Sequence, residues 1–337
     1  MNSKKILLVG GTGTISTAVM QKLSENADNQ VVVLNRGSKE VPSYVRQIVC
    51  DVNEEGALAR AIGDEKFDAV VDFLVYDAAA AKQRMEVFAD KCSQYFFIST
   101  VVTFDHEDKV WLNENSVQGN KYSRYGKNKW EAEEAFRAND SFPWVIVRPS
   151  QTYSGNRIPL SVKGNSCWSV VNRIANHKSV IVHGDGKSIW HMMHARDFAY
   201  NFVQMIGNPA AVHQSVNLVN PAIVTWDMIY NEIGRQLGTE VRFCHIASDT
   251  LACAGKYNNI EVLLGDKQYS NMYAKKNLTD LIPDFRCEIG LKEGIEMYLS
   301  YMEAHPEEKV EDPEYDAWCD SVIRDYHAFM KIFSERH

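Results

Sequence analysis

Several features are missing from this 337-residue sequence, and each absence excludes a class of protein. No apolar run approaches the ~18 residues that cross a bilayer, so no membrane span is expected. Near the start, Lys4 and Lys5 precede only Ile6-Leu7-Leu8-Val9 before glycines, too short an apolar stretch for a secretory leader. The 7 cysteines (Cys50, Cys92, Cys167, Cys244, Cys253, Cys287 and Cys319) form no C-x-x-C pair, and their odd number argues against a disulfide framework. Free thiols in a reducing cytoplasm are expected. His183, His191 and His194 are close in sequence but lack metal-ligand spacing, so no metal site is expected. Positive charge is not in excess: 36 Lys and Arg against 44 Asp and Glu leave a formal charge of −8. That balance argues against non-specific binding to nucleic acid or to an anionic membrane surface. There is no internal repeat and no low-complexity tract.

What is present is ordinary for a globular protein: 45% hydrophobic and 24% charged residues, which excludes a disordered chain, a collagen or a coiled coil. The length suits one or two domains and a core that needs no disulfide or metal staple. Aliphatic runs at residues 5–9, 31–34, 47–50, 69–73, 95–98 and 144–147 read as buried strands. They alternate with helical spacing at 14–24, 54–62, 78–91 and 130–138. This alternation predicts βαβ units, an α/β fold with a Rossmann-like doubly wound parallel sheet. Past Arg148 the pattern breaks into loops (154–165), helices (169–176, 197–205, 226–237, 291–305) and short strands (179–182, 215–218, 241–244). A smaller mixed α/β cap that binds substrate is expected there. The expected division is a dinucleotide-binding domain over 1–155, a mainly cap region over 156–306 with some segments returning to the sheet, and an acidic linker with a last helix over 307–337.

Gly10-Gly11-Thr12-Gly13-Thr14-Ile15-Ser16 follows the first strand and opens the first helix. Such a loop turns with positive φ, lets backbone approach a diphosphate, and offers it the unpaired N–H groups of a helix start. Ser16 stands where the third glycine of the usual spacing would be and is small enough for helix–strand packing. Gly10, Thr12, Gly13, Thr14 and Ile15 are therefore candidate cofactor residues. The second strand ends Asn35-Arg36-Gly37, with no acid to bind ribose hydroxyls and select NAD. Arg36 can pair bidentately with a 2′-phosphate, which favours NADP over NAD; the alternative is that it stacks on the adenine of either. Asp51 and Val52 are placed to meet the adenine, and Phe73 and Leu74 to line the nicotinamide side.

Tyr125 and Lys129 are spaced i and i+4, one face of a helix. A phenol is a poor base at neutral pH, and a neighbouring ammonium is expected to lower its pKa. The pair can then move a proton to or from a carbinol oxygen while hydride moves to or from the cofactor. Thr100, just past the fifth strand, supplies a hydroxyl to hold the reacting oxygen. A surface pair is the simpler reading of Tyr125 and Lys129 alone, but the order glycine loop, Thr100, Tyr125, Lys129 argues for chemistry.

Together these residues resemble the extended short-chain dehydrogenase/reductase family, the NAD-dependent epimerase/dehydratase group. The resemblance rests on the glycine loop, Asp51-Val52, Ile98-Ser99-Thr100, Tyr125 with Lys129, and Arg148-Pro149. It covers residues 4–155 closely and continues more loosely to roughly residue 300. Gly184-Asp185-Gly186 followed by His194-Ala195-Arg196-Asp197 is similar to that family's second-domain signature. The resemblance implies that Thr100, Tyr125 and Lys129 are catalytic and that Lys129 also holds the nicotinamide ribose. It implies that Pro149 and Ser150 contact the nicotinamide amide, that Gln151 lies near the substrate, and that the chain pairs as a homodimer. Members that bind nucleotide sugars carry an Arg where this chain has Trp190, and a second Arg in the stretch corresponding to 264–273, which has none here. Without them a diphosphate loses charge-assisted hydrogen bonds, unless Arg157, Arg173 or Arg196 substitutes. Trp190 is expected either to stack on a substrate ring or to be a buried aromatic under the cap.

Three functions compete. The first is a redox-neutral epimerase acting on a sugar or sugar-nucleotide-like substrate with a retained cofactor. A dehydratase would place an Asp-Glu pair after the active-site hydroxyl, where Val101-Val102 stand, so dehydration is disfavoured. The second is an NADPH-dependent reductase or dehydrogenase of a polar carbonyl or alcohol. The third is a non-catalytic cofactor- or RNA-binding relative. The last is opposed by the intact Tyr125 and Lys129 and by the charge of −8.

Overall fold

The structure is a computed structural model, and residues 3–106, 110–257 and 260–337 are described. Chain order begins β1 (Lys5–Val9), α1 (Thr14–Ser24), β2 (Gln30–Asn35), β3 (Arg46–Val49), α2 (Ala57–Ile62), β4 (Ala69–Asp72) and α3 (Ala78–Phe88). Next come β5 (Tyr95–Ile98), a short β6 (Trp111–Leu112), α4 (Arg124–Arg137), β7 (Trp144–Pro149) and β8 (Gln151–Tyr153). The second half continues with α5 (Trp168–Ala175), β9 (Val180–His183), β10 (Ile189–Trp190), β11 (Met192–His194), α6 (Ala195–Phe202), β12 (Ser215–Leu218) and β13 (Val224–Thr225). It ends with α7 (Trp226–Leu237), β14 (Phe243–Ile246), α8 (Ser248–Ala252), α9 (Ile260–Val262), a π-helical turn (Leu263–Lys267), β15 (Met272–Tyr273), α10 (Lys276–Leu281), α11 (Leu291–Ala304) and α12 (Pro313–Arg336). Among the described residues no helix is long and apolar enough to cross a membrane.

Seven parallel strands form one sheet in the order β12-β7-β5-β4-β1-β2-β3. The strands read as unbroken aliphatic runs because both faces are covered. On one face Ile6, Leu8, Val31 and Val33 pack with Val19 and Leu23 of α1 and Phe198 and Phe202 of α6. On the other, Leu7, Val9, Val32 and Leu34 join Leu58 of α2, Phe88 of α3 and Phe136 of α4. Each such side chain, fully buried, contributes roughly 1.5–3 kcal/mol. Neighbours β2 and β4 leave β1 on opposite sides, so the crevice for a ligand opens above the carboxyl end of β1. A separate core lies in the second half, where Val170, Ile174, Trp226, Ile229, Tyr230, Ile295 and Tyr298 are buried together.

Two local expectations need correction, and a third is made specific. The helix expected to begin at residue 130 begins at Arg124, because the Ser123 hydroxyl accepts the Gly126 N–H at 3.0 Å and caps it there. Tyr125 therefore sits in the first turn of α4. The short strand at 215–218 is a segment that returns to the central sheet, paired with β7 through Ser215 opposite Ile146. The acidic stretch after residue 307 is not simply a solvated linker. Asp312 caps α12 and accepts the Asn165 N–H at 2.9 Å, while Asp316 and Asp320 hold the buried Arg173.

Candidate active site

A cleft of about 690 Å³ lies over the carboxyl ends of the sheet strands, and every residue expected at the cofactor lines it. Gly10 turns the chain at φ +90°, and a Cβ there would sit 2.7 Å from Leu74 Cγ, so only glycine fits. Thr12, Gly13, Thr14 and Ile15 carry the loop into α1, and the Ser16 hydroxyl accepts the Gly13 N–H at 2.8 Å. Asn35 Oδ1 accepts from Gly37 N–H (2.9 Å) and from the Gln47 amide (2.7 Å). Its buried Nδ2 has no partner among the described residues. Arg36 is exposed beside Ser38 and Lys39, which groups three hydrogen-bond donors at the end of β2. Asp51 accepts from the backbone and side chain of Asn53, each at 2.9 Å, beside Val52.

Phe73 and Leu74 are held from beneath. The buried Asp72 accepts from Leu74 N–H (2.7 Å), Arg84 Nε (2.9 Å) and Tyr95 Oη (2.8 Å). Pro149 and Ser150 also line the cleft, and Ser150 Oγ is buried without a partner among the described residues. The glycine cradle at the start of α1 and two unpaired buried polar atoms fit a dinucleotide lying along this cleft.

Lys129 is 2% exposed and donates from Nζ to the Ile98 carbonyl at 2.9 Å. Its ammonium also lies over the rings of Phe97 (4.9 Å), Tyr76 (5.0 Å) and Tyr125 (5.9 Å). Burial lowers its pKa to about 8. The expected lowering of Tyr125 by this ammonium does not occur. Desolvation, then the neighbouring Tyr76 and Asp266, push the phenol up to about 12. Gly126 makes the close approach possible: a Cβ would lie 2.3 Å from the Val102 carbonyl oxygen, so α4 presses directly on the turn after Thr100. Thr100 is buried, and its Oγ accepts the Val102 N–H at 3.2 Å.

Below this point lies a charge cluster the sequence did not reveal. Glu133, fully buried one turn after Lys129, accepts from Arg148 Nε (2.9 Å) and an Arg148 guanidinium nitrogen (2.7 Å), from Arg137 (2.8 Å) and from Ser99 Oγ (2.5 Å). It thereby ties β5, α4 and β7 together directly under the Tyr125–Lys129 turn.

A second cavity of about 420 Å³ adjoins the cleft under the cap. Thr100, Tyr125, Ser150, Gln151 and Arg157 line both. Trp190 is a buried aromatic, 8% exposed and packed on Trp226 with ring centroids 4.6 Å apart, and it also lines this cavity. Its indole N–H donates to Gln151 Oε1 at 3.0 Å, so the two candidate substrate residues are joined. Of the arginines considered as diphosphate partners, Arg157 alone lines the cavity. Arg173 is buried against Asp316 and Asp320, and Arg196 faces separate grooves beside α1. The three histidines do not converge. His183 pairs with Ser161 Oγ (2.6 Å) and the Lys267 carbonyl (2.9 Å), and His191 with the carbonyls of Asn220 and Asn271 (2.8 Å each). His194 Nδ1 accepts the Arg196 N–H at 3.2 Å.

Asp266, Tyr269 and Tyr273 also face the cavity and were missed. The only local signal was Gly265-Asp266-Lys267, a small residue followed by two opposite charges in an otherwise apolar stretch.

Comparison with known proteins adds four findings. The model of the NAD dependent epimerase/dehydratase family matches residues 6–219. A 2′-dehydrokanamycin reductase of Streptomyces kanamyceticus is 26% identical over 240 residues, 69% of this chain and 67% of that protein. The chloroplast stem-loop binding protein of 41 kDa b of Arabidopsis thaliana is 24% identical over 241 residues, 67% of this chain and 61% of that protein. Among solved structures, UDP-glucuronic acid 4-epimerase of Bacillus cereus superposes with a TM-score of 0.71 at 16% identity, over 89% of this chain and 99% of that one. At that identity the likeness speaks for the fold.

Proposed function

The chain belongs to the NAD dependent epimerase/dehydratase family, and from that premise we propose that it is an NADP-linked reductase or dehydrogenase of a sugar-like polar substrate. The observation that carries this reading is the wall shared by cleft and cavity, where Thr100 and Tyr125 face both. A bound nicotinamide supplies or accepts the hydride. Tyr125, its phenol kept neutral at pH 7, donates a proton to the carbonyl oxygen as hydride reaches the carbon, and takes it back in the reverse direction. The Thr100 hydroxyl, whose oxygen already accepts from Val102, has its hydrogen free for the same substrate oxygen. Lys129, anchored on Ile98, keeps its remaining N–H donors for the nicotinamide ribose.

Arg36, with Ser38 and Lys39, is the candidate reader of a 2′-phosphate. The missing diphosphate arginines favour a substrate without a nucleotide, and the relative named a 2′-dehydrokanamycin reductase supports a sugar-type carbonyl. A redox-neutral epimerase is the second reading, favoured by a cavity of about 420 Å³, which gives a keto sugar room to turn. The stem-loop binding relative raises a non-catalytic reading; a charge of −8 counts against it.

The test is to denature freshly purified protein, identify any released nucleotide, and measure NADPH and NADH affinity for the wild type and Arg36→Ala. We expect little retained nucleotide and tighter binding of NADPH. Arg36→Ala should cost NADPH about 1.5–3 kcal/mol, the usual worth of a charge-assisted hydrogen bond, and NADH little. Stoichiometric retained NAD would favour the epimerase, and an equal loss for both nucleotides would mean that Arg36 stacks on adenine.

A further inference from the structure

The chain carries a formal charge of −8, yet the side chains lining the substrate cavity lean the other way. Arg157, Lys163 and Lys267 line it against one acid, Asp266. The stretch from 157 to 163 brings two of these cations to one wall. Ile158, Leu160 and Val162 are buried in the cap core and anchor the stretch, while Arg157 and Lys163 stand at its two ends. Lys267 staples it from the π-helical turn, its ammonium held by the carbonyls of Leu160 and Ser161 at 2.7 Å each. Lys267 is thereby satisfied, and the other two are not. Among the described residues neither Arg157 nor Lys163 forms an ion pair, and the Lys163 ammonium makes one long hydrogen bond, 3.3 Å to the Gly164 carbonyl. Buried arginines elsewhere are taken up by carboxylates: Arg84 by Asp72, Arg148 by Glu133, and Arg173 by Asp316 and Asp320.

Gln151 adds neutral donors to the same wall. An indole N–H can only donate, so the 3.0 Å bond from Trp190 fixes the Gln151 oxygen on Trp190. The two N–H groups of the Gln151 amide are left over, and among the described residues they have no acceptor. Burial raises the Asp266 carboxyl to about 7, so at neutral pH part of the opposing charge is gone. A wall of unsatisfied cations and amide donors is complementary to a group that has negative charge and several acceptor oxygens.

We propose that the substrate carries one anionic group, a carboxylate or a phosphate monoester, held by Arg157 and Lys163 with Gln151 donating beside it. The inference rests on the reductase reading and narrows it: acidic sugar-like carbonyl compounds are the substrate class, and basic amino sugars are repelled. Lys163 lines the cavity and not the cofactor cleft, so the group it holds belongs to the substrate. Arg157 lines both, so its variant is read against cofactor affinity as well.

The test is calorimetric titration of the full chain, saturated with NADP+, with D-glucose 6-phosphate, D-glucuronate, D-glucose, D-glucosamine and UDP-glucose. At least one of the two acidic sugars should bind ten-fold or more tighter than glucose, and which of them does so tells phosphate from carboxylate. Glucosamine should bind no tighter than glucose. Arg157→Gln and Lys163→Gln should each weaken the acidic sugar about 10–100-fold, the usual worth of a charge-assisted hydrogen bond, and Lys163→Gln should leave NADP+ affinity unchanged. Acidic sugars that bind no tighter than glucose overturn the proposal, as does wild-type affinity in both variants. UDP-glucose binding tightest of all also overturns it, by returning the cavity to a diphosphate. Should a variant fail to fold by circular dichroism, the wild-type comparison of charged and neutral sugars decides by itself. Turnover surviving in Tyr125→Phe would sink the reductase mechanism and leave the anion result standing, so the two failures are distinguishable.

Discussion

The acids buried under the sheet and the acid on the wall of the cap cavity are treated differently. Under the sheet, Asp72 is matched by Arg84 and Tyr95, and Glu133 by Arg148, Arg137 and Ser99, with every contact a short hydrogen bond. In the cap cavity, Asp266 has no such partner among the described residues, and burial raises its carboxyl to about 7 against the pull of Lys267. The paired clusters hold positions: one fixes Phe73 and Leu74, the other the turn that presents Tyr125 and Lys129. The unpaired acid has a charge that can change when something enters the cavity. Geometry is fixed where charges are satisfied, and chemistry is left where one is not.

The largest effect that would test this division is at the reacting group itself. Tyr125→Phe should lower kcat by about 10²–10⁴ while leaving nicotinamide nucleotide affinity nearly intact, because it removes only the transferred proton. Steady-state kinetics beside a binding titration reads both, and unchanged turnover would remove Tyr125 from the chemistry. Next comes the paired cluster. Arg148→Met leaves Glu133 buried with a reduced partner set and should cost about 3–5 kcal/mol in urea unfolding. A loss of only a few tenths would mean that water or Arg137 compensates and that the cluster holds less than the geometry indicates.

The smallest effect distinguishes the halves by pH. Burial lowers His183 and His194 from 6.5 to about 4, so unfolding takes up protons across that interval and their contribution to stability is lost as pH falls from 6.5 towards 4. Glu133 is lowered from the ordinary 4.5, chiefly by Arg148 acting against desolvation. Its contribution is present above that value and is lost only as pH falls through the depressed one. Hydrogen exchange at pH 7 and pH 5 should therefore show β9 and β11 loosening before β5 and β7. Simultaneous loosening would mean that the halves unfold as one unit.

The cofactor side was legible because its information is local. Gly10 to Ser16, Asn35-Arg36, Asp51-Val52 and Phe73-Leu74 each lie within a few residues of a strand end, and parallel strands in a doubly wound sheet bring their carboxyl ends to one edge. Tyr125 and Lys129 were legible as a pair for the same reason, being one turn apart. The direction in which Tyr125 shifts was not. It depends first on desolvation in the folded chain, then on Tyr76 and Asp266, which lie 49 residues before it and 141 after it. The cap side of the cavity was legible only at Gln151, Arg157 and Trp190. Its other walls come from loops and turns spread over residues 157–273, with no repeating spacing to mark them.

Hydrophobic period and turn chemistry suffice to specify a parallel sheet, its glycine-loop crevice and a Tyr–Lys face, since these depend on neighbours within a few residues. Where the strand at Ser215–Leu218 docks, which arginines are consumed by internal carboxylates, and which acid shares a cavity wall with Tyr125 follow from packing between distant segments. Desolvation and charge pairing are properties of three-dimensional proximity, and no local pattern encodes them.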